Sequence, residues 1–199
     1  MLIDALRLQS AELLGIADAD LGKKGQMLLG IPVLGGDEEV KKYSVDKIQL
    51  VNGIGSVSVN SQRRKLFEHF KGEGYQFASV AHPSAIIAGD VVLSEGAQIM
   101  AGAVIQAGCH VGMNAVINTG AVVDHDCHIG DHVHISPGVT ISGGVVVGEN
   151  SHVGTGATVL QGIRIGRNSL VAAGAVVIRD VSDGATVMGV PARVGGIEK

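Results

Sequence analysis

Hydrophobic positions recur every six residues over residues 85–180, which divide into sixteen hexapeptides. The third residue of each hexapeptide is Ile, Leu or Val, from Ile87 through to Val177. Helices and ordinary strands have periods of about 3.6 and 2, so neither explains a strict period of six. A parallel β-helix does, because each short strand contributes one inward aliphatic side chain before the chain turns a corner. The pattern predicts such a helix, with three hexapeptides per coil and residues 18 apart stacked at about 4.8 Å.

Two other positions of the hexapeptide support this prediction. Position one is small or β-branched, as at Ala97, Cys109 and Val133, which indicates a second and tighter inward position. Position six is Gly, Asn, Asp or His, the residue types that best tolerate a positive φ angle. We therefore expect position six to form the corner between successive strands.

Residues 1–80 follow a different pattern. It predicts helices at residues 1–9, 37–43 and 61–72, and strands at residues 12–18, 47–51 and 76–80. Strands that alternate with helices are typical of a small parallel α/β unit. The chain is accordingly divided into an α/β domain, residues 1–80, and a β-helix domain, residues 81–199, which ends in a cap around residues 189–193.

Charge and composition limit the possible binding partners and the cellular compartment of the protein. A net charge of −4 and a pI near 6.0 provide no basic field for nucleic acid or anionic membranes. Gly, His and Ser interrupt every apolar stretch, so no membrane span is predicted. Cys109 and Cys127 are 18 apart and stack in one inward column, where they read as reduced core residues, although a disulfide is geometrically conceivable. Without a visible signal peptide, the cytoplasm is expected.

His125 is the strongest candidate for chemistry. It lies at position five, on an exposed corner, between Asp124 and Asp126. Its stacked neighbours are Ala107 and Gly143, which are small enough to leave room for a ligand. A histidine flanked by acid is the usual general base near pH 7, while a merely solvated corner histidine is the alternative. Asp126 either orients His125 or simply suits a corner that needs a positive φ angle.

Two loops of the α/β domain are candidates for a small-ligand site. Asp18 ends the first predicted strand, and residues 52–55 (NGIG) follow the next. Ligands of open parallel sheets bind beyond the carboxyl ends of the strands, so these loops are natural contacts. Ordinary turns are the alternative.

Four histidines form two stacked pairs in outward positions. His110 lies 18 residues from His128, and His134 lies 18 residues from His152. Each pair lacks a third ligand in its column, whereas zinc sites need three or four. No metal site is therefore predicted.

The face that contains His125 carries outward β-branched residues, among them Val104, Val122 and Val176. A stripe of this kind is rarely left in water. We expect this face to pack against another subunit, which would place His125 in a cleft between subunits.

With these residues in place, the chain resembles the hexapeptide-repeat acyltransferases. More narrowly, it is similar to the bacterial nucleotide-aminosugar N-acetyltransferases and the related sialic acid O-acetyltransferases. The matching stretches are residues 82–85 (HPSA), 117–139 (INTGAVVDHDCHIGDHVHISPGV) and 189–193 (GVPAR).

The resemblance implies a left-handed β-helix, a homotrimer, and acetyl-CoA bound between neighbouring subunits. It places the catalytic histidine on His125 and its acid partner on Asp126. It places the acetyl-CoA contacts on His134, Gly143, Thr155, Ala173 and Gly174. It places the nucleotide-sugar contacts on Asp18, Asn52, Gly53, Gly55 and Asn118.

The chain also departs from the family in one respect. Family members usually begin with a strand and a Gly-rich loop, whereas this chain opens inside the expected first helix. Either the α/β domain is a truncated Rossmann-like unit, or its substrate site differs from that of the family. Weak affinity for a nucleotide sugar is expected. The expected activity is N-acetylation of a nucleotide-linked amino sugar. O-acetylation of a sialic acid or another sugar hydroxyl is the alternative, and a non-enzymatic binding or assembly subunit is a third reading.

Overall fold

A computed structural model describes residues 1–55, 59 and 61–195. The α-helices are α1 (Leu2–Leu8) and α2 (Ser61–Gly72), and two 3₁₀ helices span Leu21–Lys23 and Asp37–Lys42. The first strands are β1 (Ile16–Ala17), β2 (Met27–Leu28), β3 (Ile31–Gly35), β4 (Gln49–Leu50), β5 (Gln76–Phe77) and β6 (Val80–Ala81). No helix in this described part has the length and apolarity needed to cross a membrane.

From Ile86 onward the chain forms the predicted parallel β-helix, one two-residue strand per hexapeptide. The strands are β7 (Ile86–Ile87), β8 (Val92–Leu93), β9 (Gln98–Ile99), β10 (Val104–Ile105), β11 (His110–Val111), β12 (Val116–Ile117), β13 (Val122–Val123), β14 (His128–Ile129), β15 (His134–Ile135), β16 (Thr140–Ile141), β17 (Val146–Val147), β18 (His152–Val153), β19 (Thr158–Val159), β20 (Arg164–Ile165), β21 (Leu170–Val171) and β22 (Val176–Val177). Every third strand pairs in parallel, and the paired residues are 18 apart, as Val104 and Val122 are.

The strands form three faces of a prism. The first face contains β7, β10, β13, β16, β19 and β22, and the second contains β8, β11, β14, β17 and β20. The third face begins with β6 and continues through β9, β12, β15, β18 and β21. We call the edge between the first and second faces the first corner, the edge between the second and third faces the second corner, and the remaining edge the third corner.

Position six forms these corners. Every position six from Gly96 to Gly174 has a positive φ angle, including the non-glycine residues Asn114, Asp126 and His132. Asp90 and Asp180, at the two ends of the repeat, do not share this conformation. The corner prediction is therefore confirmed for the body of the β-helix, where successive coils lie on both sides of each turn.

The interior of the prism is filled by positions one and three. From Ile99 to Val177 the aliphatic residues at position three are at most 2% exposed, and small residues such as Ala103 and Ala121 complete the layers. At the open end, Ile87 and Leu93 are only half-buried. One continuous hydrophobic cluster runs along the β-helix, as the period of six predicts.

The α/β domain differs from its prediction in several ways. The predicted strand at residues 12–18 shrinks to β1, and the predicted helix at residues 37–43 is a 3₁₀ helix. The unpredicted strand β3 carries the buried residues Ile31 and Val33, pairs in parallel with β1, and forms an antiparallel hairpin with β2. The strands β4 and β5 form a separate parallel pair. The domain thus holds two small sheets where one parallel sheet was expected.

The boundary region also differs. The predicted strand at residues 76–80 divides into β5 and β6, and β6 pairs with β9 as part of the third face. The β-helix therefore begins at Val80, ahead of the first hexapeptide.

Helix α2 fixes the α/β domain along the second corner. A Cβ added to Gly96 would lie 3.0 Å from the ring of Phe67 and 3.2 Å from the Cβ of Phe77, so the α/β domain packs closely against this corner. Ion pairs of 2.8 Å (Lys71 with Glu95) and 2.7 Å (Arg64 with Glu149) join α2 to the same corner.

The C-terminal end closes the β-helix. The strand β23 (Thr186–Met188) extends the third face beyond β21, and β24 (Arg193–Val194) pairs with β23 in the antiparallel direction. Residues 189–192 of the predicted cap form the turn between these two strands, and Arg193 begins β24.

Candidate active site

His125 lies on the first corner, directly after β13. Its Nδ1 atom lies 2.8 Å from Oδ2 of Asp126, and its backbone N–H donates to Oδ1 of Asp124 at 2.8 Å. The imidazole is 62% exposed, so a ligand can reach it. Because Asp126 has a φ angle of 58°, its carboxylate turns back toward the ring of the preceding residue. The corner conformation and the contact with His125 are thus two consequences of one backbone turn.

The two carboxylates beside His125 favour the protonated form of its imidazole. The hydrogen bond to Asp126, aided by the charge of Asp124, raises the pKa of His125 above its ordinary value. A carboxylate only accepts hydrogen bonds, so Nδ1 carries the hydrogen in this pair. In the neutral imidazole the lone pair is then on Nε2, which is the arrangement a general base requires.

Small residues make space around this histidine. A Cβ added to Gly143 would lie 2.6 Å from Nε2 of His125, so the ring packs over a bare Cα. A Cβ added to Gly108 would collide with the Asp126 carboxylate. Among the described residues the N–H of Gly143 has no hydrogen-bond acceptor. The coil above His125 therefore presents an open backbone donor beside Nε2.

The second group of predicted residues lies at the far edge of the first face. Asn118 is on the third corner, and His134 projects outward from the third face. The Oδ1 of Asn118 accepts the N–H of Thr119 at 2.8 Å, which turns the amide nitrogen toward Nε2 of His134 at 3.3 Å. Asn118 therefore orients the His134 ring.

His134 is buried, at 9% exposure, and holds an unpaired polar atom. Burial, with the nearby His152 and Arg63, lowers the pKa of His134 to about 4, so the ring is neutral at physiological pH. Because Asn118 donates to Nε2, the hydrogen lies on Nδ1, and within the described part of the chain Nδ1 has no partner. Buried donors normally have a partner, so this unpaired N–H is an exception in the interior.

Thr155, Ala173 and Gly174 are exposed on the third corner, in the same column of turns as residues 119–120. They share an edge with Asn118, but the whole first face, a side of roughly 15–20 Å, separates them from His125. Within one chain, the structure therefore groups the predicted residues in two clusters. His125, Asp126 and Gly143 form the first-corner cluster. Asn118, His134, Thr155, Ala173 and Gly174 form the third-corner cluster.

The α/β domain gives its predicted residues different surroundings. Asp18 is half-buried after β1, where it pairs with Lys23 at 2.8 Å, and this hydrogen bond lowers its pKa. Gly53 and Gly55 are exposed beyond β4. Because β1 and β4 belong to different sheets, the two loops do not share one sheet edge as predicted.

Asn52, one of the predicted substrate contacts, has a buried side chain. It is 2% exposed, and its amide nitrogen donates to Arg63 O at 3.0 Å and to Asn114 Oδ1 at 3.2 Å. Its Oδ1 accepts the N–H of Ile54 at 3.2 Å. Its polar atoms thus bond inside the protein, and Asn52 fastens the loop to the second corner instead of facing a ligand.

Residues that the sequence did not single out also shape the site. Arg63 is buried and donates from Nη1 to Asn52 O and Ile54 O at 2.9 and 2.8 Å, which holds the loop of residues 52–55. Gly108 could have been found from the spacing, because it lies 18 residues before Asp126. No sequence signal marks Arg63, whose partners are backbone carbonyls.

Two surface depressions, of about 580 and 400 Å³, lie elsewhere, on the second face and beside α2. Neither contains a predicted site residue. The stacked pairs His110–His128 and His134–His152 form as expected, with ring centroids 4.8 and 4.9 Å apart. In the described ranges no group of three or more potential metal ligands is found. Cys109 and Cys127 are both free thiols.

Comparison with known proteins decides the family. A family profile described as "Bacterial transferase hexapeptide (six repeats)" matches residues 108–143, 126–161 and 144–179. A variant of perosamine N-acetyltransferase from Caulobacter crescentus, crystallised with CoA and GDP-perosamine, is 38% identical, with a TM-score of 0.91 over 98% of this chain and 90% of that chain. The chain belongs to the hexapeptide-repeat acetyltransferases.

Two further structures of similar size agree. The acetyltransferase domain of PglB from Neisseria gonorrhoeae is 33% identical, with a TM-score of 0.89 over 98% of this chain and 91% of that one. WeeI from Acinetobacter baumannii is 28% identical, with a TM-score of 0.84 over 98% and 92%. No curated protein sequence matches this chain. The predicted fold, a small α/β unit followed by a left-handed β-helix, is confirmed for this hexapeptide-repeat acetyltransferase.

Proposed function

We propose that this enzyme transfers the acetyl group of acetyl-CoA to the amino group of a nucleotide-linked amino sugar. The observation that carries the proposal is the His125–Asp126 pair, which faces the bare backbone of Gly143. It occurs in a chain 38% identical to a perosamine N-acetyltransferase crystallised with CoA and GDP-perosamine. The likeness to this N-acetyltransferase favours an amine acceptor over a sugar hydroxyl.

The residues present fit acetyl-CoA. A thioester carbonyl needs a hydrogen-bond donor, and the Gly143 N–H has no acceptor among the described residues. His134 is proposed to line the acetyl-CoA site from the third-corner cluster. The exposed backbone at Thr155, Ala173 and Gly174 offers further groups to an extended ligand. When bound, acetyl-CoA supplies an activated acyl group with a thiol as the leaving group.

His125 acts first as the general base and then as the general acid of the acetyl transfer. Its Nε2 accepts a proton from the amine as the N–C bond to the acetyl carbon forms. It then returns that proton to the sulfur as the C–S bond breaks. Asp126 stabilises the imidazolium between these two steps. The N–H of Gly143 donates to the carbonyl oxygen as negative charge develops on it, and one such donor typically contributes about 3–4 kcal/mol.

A homotrimer would complete the site. The first-corner and third-corner clusters lie at opposite edges of the same face, so a site that contains both needs two chains. Three chains with their first faces toward a three-fold axis place each first corner against a neighbour's third corner, and this heterologous contact closes into a ring. The outward valines of the first face, which include Val104, Val122 and Val176, then pack near the axis.

The remaining assignments follow from this arrangement. Asp18, Gly53, Gly55 and Asn118 are proposed to contact the nucleotide sugar, with the α/β domain as its binding unit. The free thiols fit a reducing compartment, and we place the enzyme in the cytoplasm.

The test is a thiol-release assay with acetyl-CoA and a panel of UDP-, dTDP-, GDP- and CMP-linked sugars, GDP-perosamine among them. Each amino sugar is paired with the sugar that carries a hydroxyl at the same carbon. Release with an amino sugar and not with its hydroxyl partner supports the proposal. Release with the hydroxyl sugars instead would assign O-acetylation.

A further inference from the structure

The interior side of the first corner contains two thiols directly behind the proposed catalytic groups. The inward column there consists of Val91, Cys109, Cys127, Val145, Ile163 and Val181. Sγ of Cys109 lies 3.0 Å from Asp124 O, and Sγ of Cys127 lies 3.2 Å from Ser142 O. Each thiol thus reaches a carbonyl in the coil above it, 15 residues further along the chain.

Serine hydroxyls use the same geometry at the second corner. Oγ of Ser151 donates to Gly166 O at 2.6 Å, and Oγ of Ser169 donates to Ser182 O at 2.8 Å. At the third corner the equivalent carbonyl bonds instead to a backbone N–H, as Asn118 O does with Ala121 N at 3.1 Å. Among the described residues Asp124 O and Ser142 O have no backbone donor, so the thiols are what satisfies them.

The two carbonyls belong to the peptide groups that matter for the proposed chemistry. Asp124 C=O shares its peptide with the N–H of His125. Ser142 C=O shares its peptide with the N–H of Gly143, the proposed donor to the thioester oxygen. A hydrogen bond on a carbonyl orients its planar peptide and polarises the N–H at the other end. Elsewhere in this column, the side chains of Val145 and Ile163 have no hydrogen-bond donor.

We propose that Cys109 and Cys127 are positioning residues, whose thiols hold the 124–125 and 142–143 peptides so that His125 and the Gly143 N–H face the reacting atoms. This proposal rests on the proposed acetyl transfer. Burial raises the pKa of Cys109 and raises the pKa of Cys127 to about 11, so both remain protonated donors at neutral pH.

The test compares three substitutions of one thiol. Cys127→Ala and Cys127→Val both remove the donor, and Val is the residue that the same column carries at position 145. Cys127→Ser keeps a donor. The matched control is Ser151→Ala, which removes the equivalent hydrogen bond to Gly166 O at the second corner.

The expected result is a loss of kcat of about two- to fivefold in Cys127→Ala and Cys127→Val, the rate equivalent of one weak hydrogen bond. The KM values for both substrates should stay unchanged, and Cys127→Ser should restore kcat. Ser151→Ala should lower thermal stability without lowering kcat. Amide hydrogen exchange of the segment around residue 143 should quicken in the Ala and Val variants and return to the wild-type rate in Cys127→Ser.

Two outcomes would overturn the positioning role. One is a wild-type kcat in Cys127→Ala and Cys127→Val, and the other is an equal loss of kcat in Ser151→Ala. If the wild-type enzyme releases no thiol with any amino sugar, the proposed function fails by itself. The exchange rates then decide the positioning role alone, and unchanged exchange in both donor-free variants would reject it.

Discussion

The imidazole of His125 and the carboxylate of Asp126 are neighbours in the chain that meet side chain to side chain at 2.8 Å. Consecutive residues rarely do so, because side chains of an extended strand alternate between its two faces. The left-handed corner at Asp126, with a φ angle of 58°, turns the second side chain back toward the first. The corner that the fold requires is thus also what gives the histidine its acid partner.

Replacement of His125 by Ala should lower kcat by about 10²–10⁴, the range for loss of a general base. The fold and acetyl-CoA affinity should persist, because the side chain is exposed and lies outside the core. His128→Ala, which removes an exposed histidine from the second face, is the matched control and should retain activity. Full activity in His125→Ala would remove the catalytic assignment.

Asp126→Asn should shift the acid limb of the rate profile to lower pH. Asp126 raises the pKa of His125, and the base works only when neutral, so the wild-type rate falls as the pH drops through this raised pKa. Without the carboxylate the pKa falls, and the neutral base persists at more acidic pH. The corner itself should hold, since Asn114 and Asn150 occupy equivalent corners with φ angles of 54° and 58°. The measurement is kcat against pH, and an unmoved acid limb would restrict Asp126 to a corner role.

Gly143→Ala should disable the enzyme without unfolding it. The new Cβ would lie 2.6 Å from Nε2 of His125, so the ring has to move, and a misplacement of about 1 Å can cost 10²-fold in rate. Gly89→Ala lies in the same column of the first corner, with open space around its Cβ, and serves as the control. The readouts are kcat and the thermal midpoint, which should remain near the wild-type value in both variants. Equal activity in the two variants would contradict the proposed packing.

The sequence predicted the β-helix closely and the α/β domain loosely, for a physical reason. In the β-helix a single six-residue rule specifies core, corner and stacking, so His125, Ala107 and Gly143 could be aligned by counting. In the α/β domain no such rule repeats from one strand to the next, so each strand of two to five residues has to be predicted from its own few residues. The strand β3 was missed although Ile31, Val33 and Gly35 alternate as buried residues, because Pro32 interrupts the apolar run.

The site residues divide in the same way, into those that the six-residue repeat predicts and those that it does not. The first-corner cluster could be derived from the repeat, whereas the acetyl-CoA contacts of the third-corner cluster were implied by the resemblance. Asn52 was assigned to the ligand because a strand end followed by Gly is typical of a binding loop. Its burial against Asn114, 62 residues away, is a tertiary contact that no local pattern encodes.

Asn52→Ala should destabilise the protein instead of only weakening substrate binding. The substitution removes the amide that donates to Arg63 O and Asn114 Oδ1 and accepts from Ile54 N–H, and loss of these buried and half-buried hydrogen bonds costs about 1–3 kcal/mol. Gly53→Ala is the matched neighbour, exposed and with open space around the new Cβ, so its stability should change little. Urea unfolding of both variants checks this prediction. A wild-type midpoint for Asn52→Ala would return Asn52 to the candidate ligand contacts.

Val122→Lys should disrupt the proposed trimer. Val122 is half-buried on the first face, and three such lysines would gather near the three-fold axis, where an unpaired buried charge costs several kcal/mol. The matched control is Val146→Lys, a half-buried valine in the equivalent outward position of the second face, which the proposed ring leaves outside the contact. Sedimentation velocity should show a trimer for the wild type and for Val146→Lys, and a smaller species for Val122→Lys. Activity should fall together with assembly, because the first-corner cluster of one chain loses the third-corner cluster of its neighbour. A monomeric wild type that retains full activity would reject both the trimer and the shared site.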